Sequence, residues 1–161
     1  MSGPIILGSL SFAIMEFIDR VMVNKLGTEA LAAVGSASIW SYTMSTLLLG
    51  IVGCVGTFVA QCLGRGEKHL CGTYTWQGLY LSLIAGIIAV CFHPIAPHLF
   101  ALMGHEPEVT RLELVYFQIR LFSYLPLAFV TALATFFQAA RYPVVPMVVA
   151  ILGTALNIVL N

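Results

Sequence analysis

The residues able to do chemistry in this chain are few, and they gather toward its two ends. Glu16, Asp19 and Arg20 interrupt an otherwise apolar stretch near the start. Glu16 and Asp19 are three apart and Glu16 and Arg20 four apart, so on a helix the three share one face. Two readings of that face stand. In one, Glu16 and Arg20 pair along the helix while Asp19 reaches toward lipid headgroups. In the other, Asp19 exchanges a proton or a bound Na⁺, because hard cations take oxygen ligands and a carboxyl in low dielectric can load a proton near neutral pH. Asp19 is the better candidate of the two acids, since Glu16 has a partner of its own.

Asn157 and Asn161, four apart near the other end, stack on one helix face. Amides in an apolar helix hydrogen-bond to neighbouring helices, and their oxygens serve equally well beside a carboxylate in holding a cation. Gly56, Ala60 and Gly64 recur every four positions, a stripe expected to let helix backbones approach closely. Gln61, inside it, is expected to hydrogen-bond a neighbouring helix. Arg120 needs a partner if buried, and Glu113 lies two turns away on the same helix. Cys54, Cys62, Cys71 and Cys91 form no Cys-x-x-Cys pair, and His69, His93, His98 and His105 no i,i+4 pair. The chain carries no Gly-x-Ser-x-Gly, His-Glu-x-x-His or phosphate-loop sequence, so neither an enzyme nor a cofactor is expected. The one metal ion considered is Na⁺ at Asp19.

These groups must be positioned by very apolar elements. Of 161 residues, 60% are apolar and 9% charged, with seven basic side chains balancing seven acidic ones. That balance excludes a basic nucleic-acid-binding domain, and the scarcity of charge excludes a disordered acidic segment. No Asp, Glu, Lys or Arg occurs from Ala30 to Gly64 or from Cys71 to His105. A membrane crossing needs roughly 20 apolar residues, so the chain reads as an all-α integral membrane protein.

Charged and Pro-containing turns divide it into five helices over about 4–24, 31–63, 72–92, 113–140 and 144–161. The first is not a cleavable signal peptide, because it lacks a basic start and carries charges where a smooth apolar run belongs. It is also costly in lipid. Three ionisable groups cost up to about 9 kcal/mol at a helix centre, against roughly 5 recovered from its large apolar side chains. It is therefore expected to turn its acids toward a bundle or a hydrated cavity. Lys and Arg are slightly richer in the turns after the second and fourth helices, which favours a cytoplasmic amino terminus. The fifth helix is still span-like at Asn161, as expected of part of a longer protein.

In this order, Pro4, the run from Phe17 to Val23, the run from Leu26 to Gly35, the run from Val59 to Gly66, Pro143 to Met147 and Asn157 to Asn161 resemble the amino-terminal half of a multidrug and toxic compound extrusion (MATE) transporter. The resemblance implies twelve helices in two six-helix lobes, this chain supplying about five helices of the first lobe. It implies export of cationic or amphipathic organic compounds from the cell membrane in exchange for Na⁺ or H⁺. Asp19 matches the family's first-helix Asp and Asn157 its fifth-helix Asn. Asn161 stands where Asp is common, which leaves Asp19 as the main carboxylate, with Glu16 and Gln61 as secondary candidates. Pro4 matches a first-helix Pro tied to helix bending. The partners implied are the bilayer, organic cations or drugs, and the remaining helices of the transporter. Two rivals are a lipid-linked oligosaccharide flippase of the same superfamily, whose cavity would hold more cationic side chains, and a non-transporting membrane scaffold.

Overall fold

Six helices account for nearly all of the chain in the computed structural model, which describes the backbone of residues 2–24 and 28–160. The side chains of residues 2, 4, 12, 19, 20, 22–24 and 28–31 lie outside that description. The helices are α1 (Ser2–Asn24), α2 (Thr28–Gly64), α3 (Lys68–Cys91), α4 (Ala96–Ala101), α5 (Pro107–Ala139) and α6 (Val144–Leu160), with no strand among the described residues. The all-α membrane bundle expected from the sequence is what forms. Within α2, α3 and α5, the stretches Ala32–Gly64, Lys68–Cys91 and Pro107–Ala139 are each long and apolar enough to cross a membrane. In α1 the apolar run is confined to Ile5–Ile18, and α6 has 17 residues. At 37 residues, α2 is about 55 Å long, well beyond the ~30 Å hydrocarbon core.

The second and third helices start three to four residues earlier than the sequence reading has them, and two larger differences stand out. The fourth long helix starts at Pro107, not near 113. A proline in the first turn loses no helical hydrogen bond, so the polar Glu108–Arg111 stretch is helix and Glu113 lies well inside it. The short α4 was not anticipated: it has six residues, too few to show periodicity.

Packing sorts the helices into two bodies. α2, α3 and α5 form one, with α4 against α5, and α1 and α6 form the other. In α3 small residues face inward and large ones outward. Buried residues of α3 are Cys71, Gly78, Ser82, Ala85, Gly86 and Ala89, while Trp76, Tyr80, Ile84 and Ile87 are exposed. Lipid solvates large apolar side chains as well as a protein core does, so helices in a membrane associate where small residues let backbones approach. A Cβ at Gly86 would fall 2.4 Å from Leu125 Cδ1, and one at Gly78 2.6 Å from Val55 Cγ2. α2 and α5 run in parallel, Gly56 meeting Thr135, and α3 runs against both. Ser82 Oγ donates to the Ala128 carbonyl at 3.0 Å, and Tyr124 O–H donates to the Ser41 carbonyl at 2.6 Å.

The expected small-residue stripe is corrected here. Gly56 makes a close approach, but Ala60 and Gly64 are exposed, and a Cβ at Gly64 would meet nothing within 4 Å. The buried face of α2 at this level carries Val55, Val59 and Cys62.

Two turns are closed alike. After α2, the Glu67 N–H donates to the Cys62 carbonyl and the Gly66 N–H to the Leu63 carbonyl, with Gly66 at φ 78°. After α5, the Tyr142 N–H donates to Phe137 and the Arg141 N–H to Gln138. Here Arg141 holds the left-handed position at φ 66°, which glycine usually takes in this motif.

Candidate functional site

The second body is joined by small residues and one side-chain bond. A Cβ at Gly8 would lie 3.8 Å from Met147 Cα and 3.9 Å from Ala150 Cβ. One turn on, Thr154 Oγ1 donates to the Ser11 carbonyl at 3.3 Å. α1 and α6 therefore run in parallel and in register. Where they stand off from α5 a cleft of about 860 Å³ opens. Its walls are Ile5, Gly8, Ser9 and Met15 of α1, the α5 segment with Thr131, Phe137 and Gln138, and the α6 face carrying Met147, Thr154 and Asn157. Apolar side chains dominate it, and no Lys or Arg lines it among the described residues. A cleft of that size with a few polar groups suits an amphipathic organic molecule.

The sequence candidates divide around this cleft. Asn157, half-buried, lines it together with Met15. Asp19 is in α1, one helical turn beyond Met15, and its side chain lies outside the description. Asn161 lies outside the described residues. Glu16 is exposed, and no ion pair includes it among the described residues; the Arg20 side chain proposed as its partner is not described. Pro4 stands in the first turn of α1, where a proline breaks no interior ladder bond. Gln61 is exposed on α2.

One cluster went unread in the sequence. Glu113 of α5 is fully buried, and its Oε1 meets His105 Nδ1 at 2.8 Å. The same oxygen accepts a hydrogen bond from Ser36 Oγ of α2. The available signal was position: Glu113 begins the buried stripe Glu113, Phe117, Leu121, Tyr124, Ala128 and Ala132. A helix that begins at 113 puts that residue at its edge.

This arrangement of an α1–α6 pair set off from a small-residue bundle can be compared with known proteins. The MatE family model matches residues 4–161.

The chain belongs to the MatE family.

Relatives within MatE include a probable multidrug resistance protein NorM of Pseudomonas aeruginosa, 30% identical over 100% of this chain and 33% of the relative. Another from a Synechococcus species is 25% identical over 96% of the chain and 33% of the relative. Among solved structures, a MATE crystal structure in complex with MaL6 superposes with a TM-score of 0.93 at 26% identity, covering 99% of this chain and 36% of that one. The outward-facing conformation of a multidrug resistance MATE family transporter gives 0.88 at 28% identity, with 99% and 36% coverage. The chain thus spans about a third of the length of the curated relatives it matches. MatE membership makes it a membrane-embedded helical protein of a multidrug efflux family.

Proposed function

We propose that this chain is the amino-terminal part of a secondary active exporter of cationic or amphipathic organic compounds, exchanged for Na⁺ or H⁺. In this reading it supplies most of one lobe of a twelve-helix transporter in the plasma membrane, with its amino terminus in the cytoplasm. The observation that carries the reading is the apolar cleft between α1–α6 and α5, with Asn157 in its wall and Asp19 one turn beyond Met15. A compound with an apolar body fits the wall, and in this reading Asp19 and Asn157 select for positive charge. The same carboxylate, with Asn157 and Asn161, holds the coupling ion.

Export then follows from mutually exclusive loading. An organic cation enters from the cytoplasmic side and leaves from the outward form, after which Na⁺ or H⁺ on Asp19 favours the return. A ligand shifts such an equilibrium only by its differential affinity for the two states. The absence of Lys and Arg from the described cleft wall disfavours a flippase, which must hold a pyrophosphate. Asp19→Asn in the full-length protein, reconstituted in proteoliposomes, is expected to abolish efflux driven by a cation gradient while leaving membrane insertion intact. Undiminished efflux rejects the assignment.

A further inference from the structure

Glu113 is a buried acid whose two carboxyl oxygens are served unequally. It is fully buried, one turn before Phe117, whose ring packs edge-on against Phe100 at 5.4 Å. Both of its contacts fall on one oxygen: Ser36 Oγ donates to Oε1 and His105 Nδ1 lies against it. Oε2 is buried with no hydrogen-bond partner among the described residues. An ionised carboxylate spreads its charge over both oxygens, so half of it would sit on a bare, buried atom, and leaving such an acceptor unserved is costly. In the neutral acid Oε2 becomes an uncharged carbonyl oxygen, and most of that cost goes. A proton needs no additional space. A metal ion needs several oxygen ligands around it, and the described side chains bring one hydroxyl and one carboxyl here.

We propose that Glu113, held by Ser36 and His105, is a proton-binding site separate from Asp19 and filled from solvent through His105. The imidazole suits a relay because it is 38% exposed while the carboxyl it touches is 0% exposed. A proton from water binds Nε2, and the Nδ1–H bond breaks as the Oε1–H bond forms. The ring is left neutral, with its proton on Nε2, and Nδ1 then accepts the hydrogen bond from Oε1–H. One proton has moved from bulk to carboxyl. Loaded, the site joins α2 and the connection before α5 to the first turns of α5.

Most other charged or titratable groups nearby are occupied or exposed, while the Arg120 Nε is buried without a hydrogen-bond partner among the described residues. Glu108 and Arg111 pair with each other on the exposed side of α5 at 3.5 Å. Glu106, His98 and Cys91 are exposed, and His93 packs edge-on against Phe122. Tyr116 is half-buried, and Arg120 lies two turns further along α5. α2 presents Ala33, Ser36 and Ala37 at this level; the Glu29 side chain is outside the description. The assignment stands whether or not Asp19 couples transport.

Infrared difference spectra of the full-length protein between acidic and alkaline pH test it. Subtracting the Glu113→Gln spectrum from that of the wild type, and likewise on the Asp19→Asn background, is expected to leave the band of one protonated carboxyl. A subtraction that leaves no such band overturns the proposal. Where Glu113→Gln fails to fold, His105→Asn decides, since it keeps the carboxyl and removes the relay. The carboxyl then loses a hydrogen-bond partner, so its band must shift in frequency, and an unmoved band overturns the site. In Ser36→Ala the band must shift in frequency, because the carboxyl loses a donor.

Discussion

Tyr124 shows what one polar side chain contributes inside this bundle. Its phenol is buried at the α2–α5 contact and donates to the Ser41 carbonyl at 2.6 Å. The carbonyl also has helical partners within α2, so removing the hydroxyl strands no acceptor. Tyr124→Phe is therefore expected to destabilise by about 1 kcal/mol, within the range for hydrogen bonds between helices in membranes, read as a lower midpoint of thermal unfolding in detergent. An unchanged midpoint would mean that the hydroxyl is served equally well when the helices are apart. Other residue-scale features were legible in advance to different degrees. Asp19 and Asn157 stand out in any reading because polar groups are rare in these helices. Glu113 did not, because its meaning depends on Ser36, 77 positions earlier, and on His105, in a connection with no regular pattern.

Among the elements, α3 depends most on the absence of side chains. At Gly86 a Cβ would lie 2.4 Å from Leu125 Cδ1, 2.8 Å from its Cβ and 3.1 Å from its Cα. The last of these is backbone, so rotating the leucine cannot relieve the clash and the helices must separate. Gly86→Ala should cost about 1–3 kcal/mol, as other overpacking changes do, and adding Leu125→Ala should recover part of that loss. At Gly53 of α2 nothing lies within 4 Å of a Cβ. There Ala should be neutral or stabilise by up to about 1 kcal/mol through its helix propensity. Thermal unfolding of the three variants checks both, and equal losses at Gly53 and Gly86 would refute the packing account. Sequence reading chose Gly56, Ala60 and Gly64 because their spacing is regular. Of these only Gly56 admits a neighbour, and the other glycines that do, Gly8, Gly78 and Gly86, are defined by the residue opposite.

For the whole molecule, the division into α1–α6 and α2–α3–α5 suggests that the cleft between them changes as two bodies move, each keeping its own packing. Gly8 and Ala150 test this. A Cβ at Gly8 falls 3.9 Å from Ala150 Cβ, inside the ~3.5–4.5 Å range that a disulfide spans. With Cys54, Cys62, Cys71 and Cys91, all free, replaced in the full-length transporter, the Gly8→Cys/Ala150→Cys pair should cross-link under mild oxidation and leave efflux unchanged. Efflux lost on oxidation and restored by a reductant would show that α1 and α6 slide past each other during the cycle.

The order and approximate extent of the long helices were fixed by sequence, because hydrocarbon cannot solvate charge and the two charge-free runs had to be spans. Local chemistry also set the turns, with Gly66 and the Arg141–Pro143 stretch ending helices where the chain must reverse. Which side of each helix turns inward was not readable, since lipid and protein interior are alike apolar and hydropathy does not tell them apart. Tertiary structure decided that by shape, seating Gly78 and Gly86 against Val55 and Leu125. It also brought Ser36, His105 and Glu113 together and left Gln61 exposed.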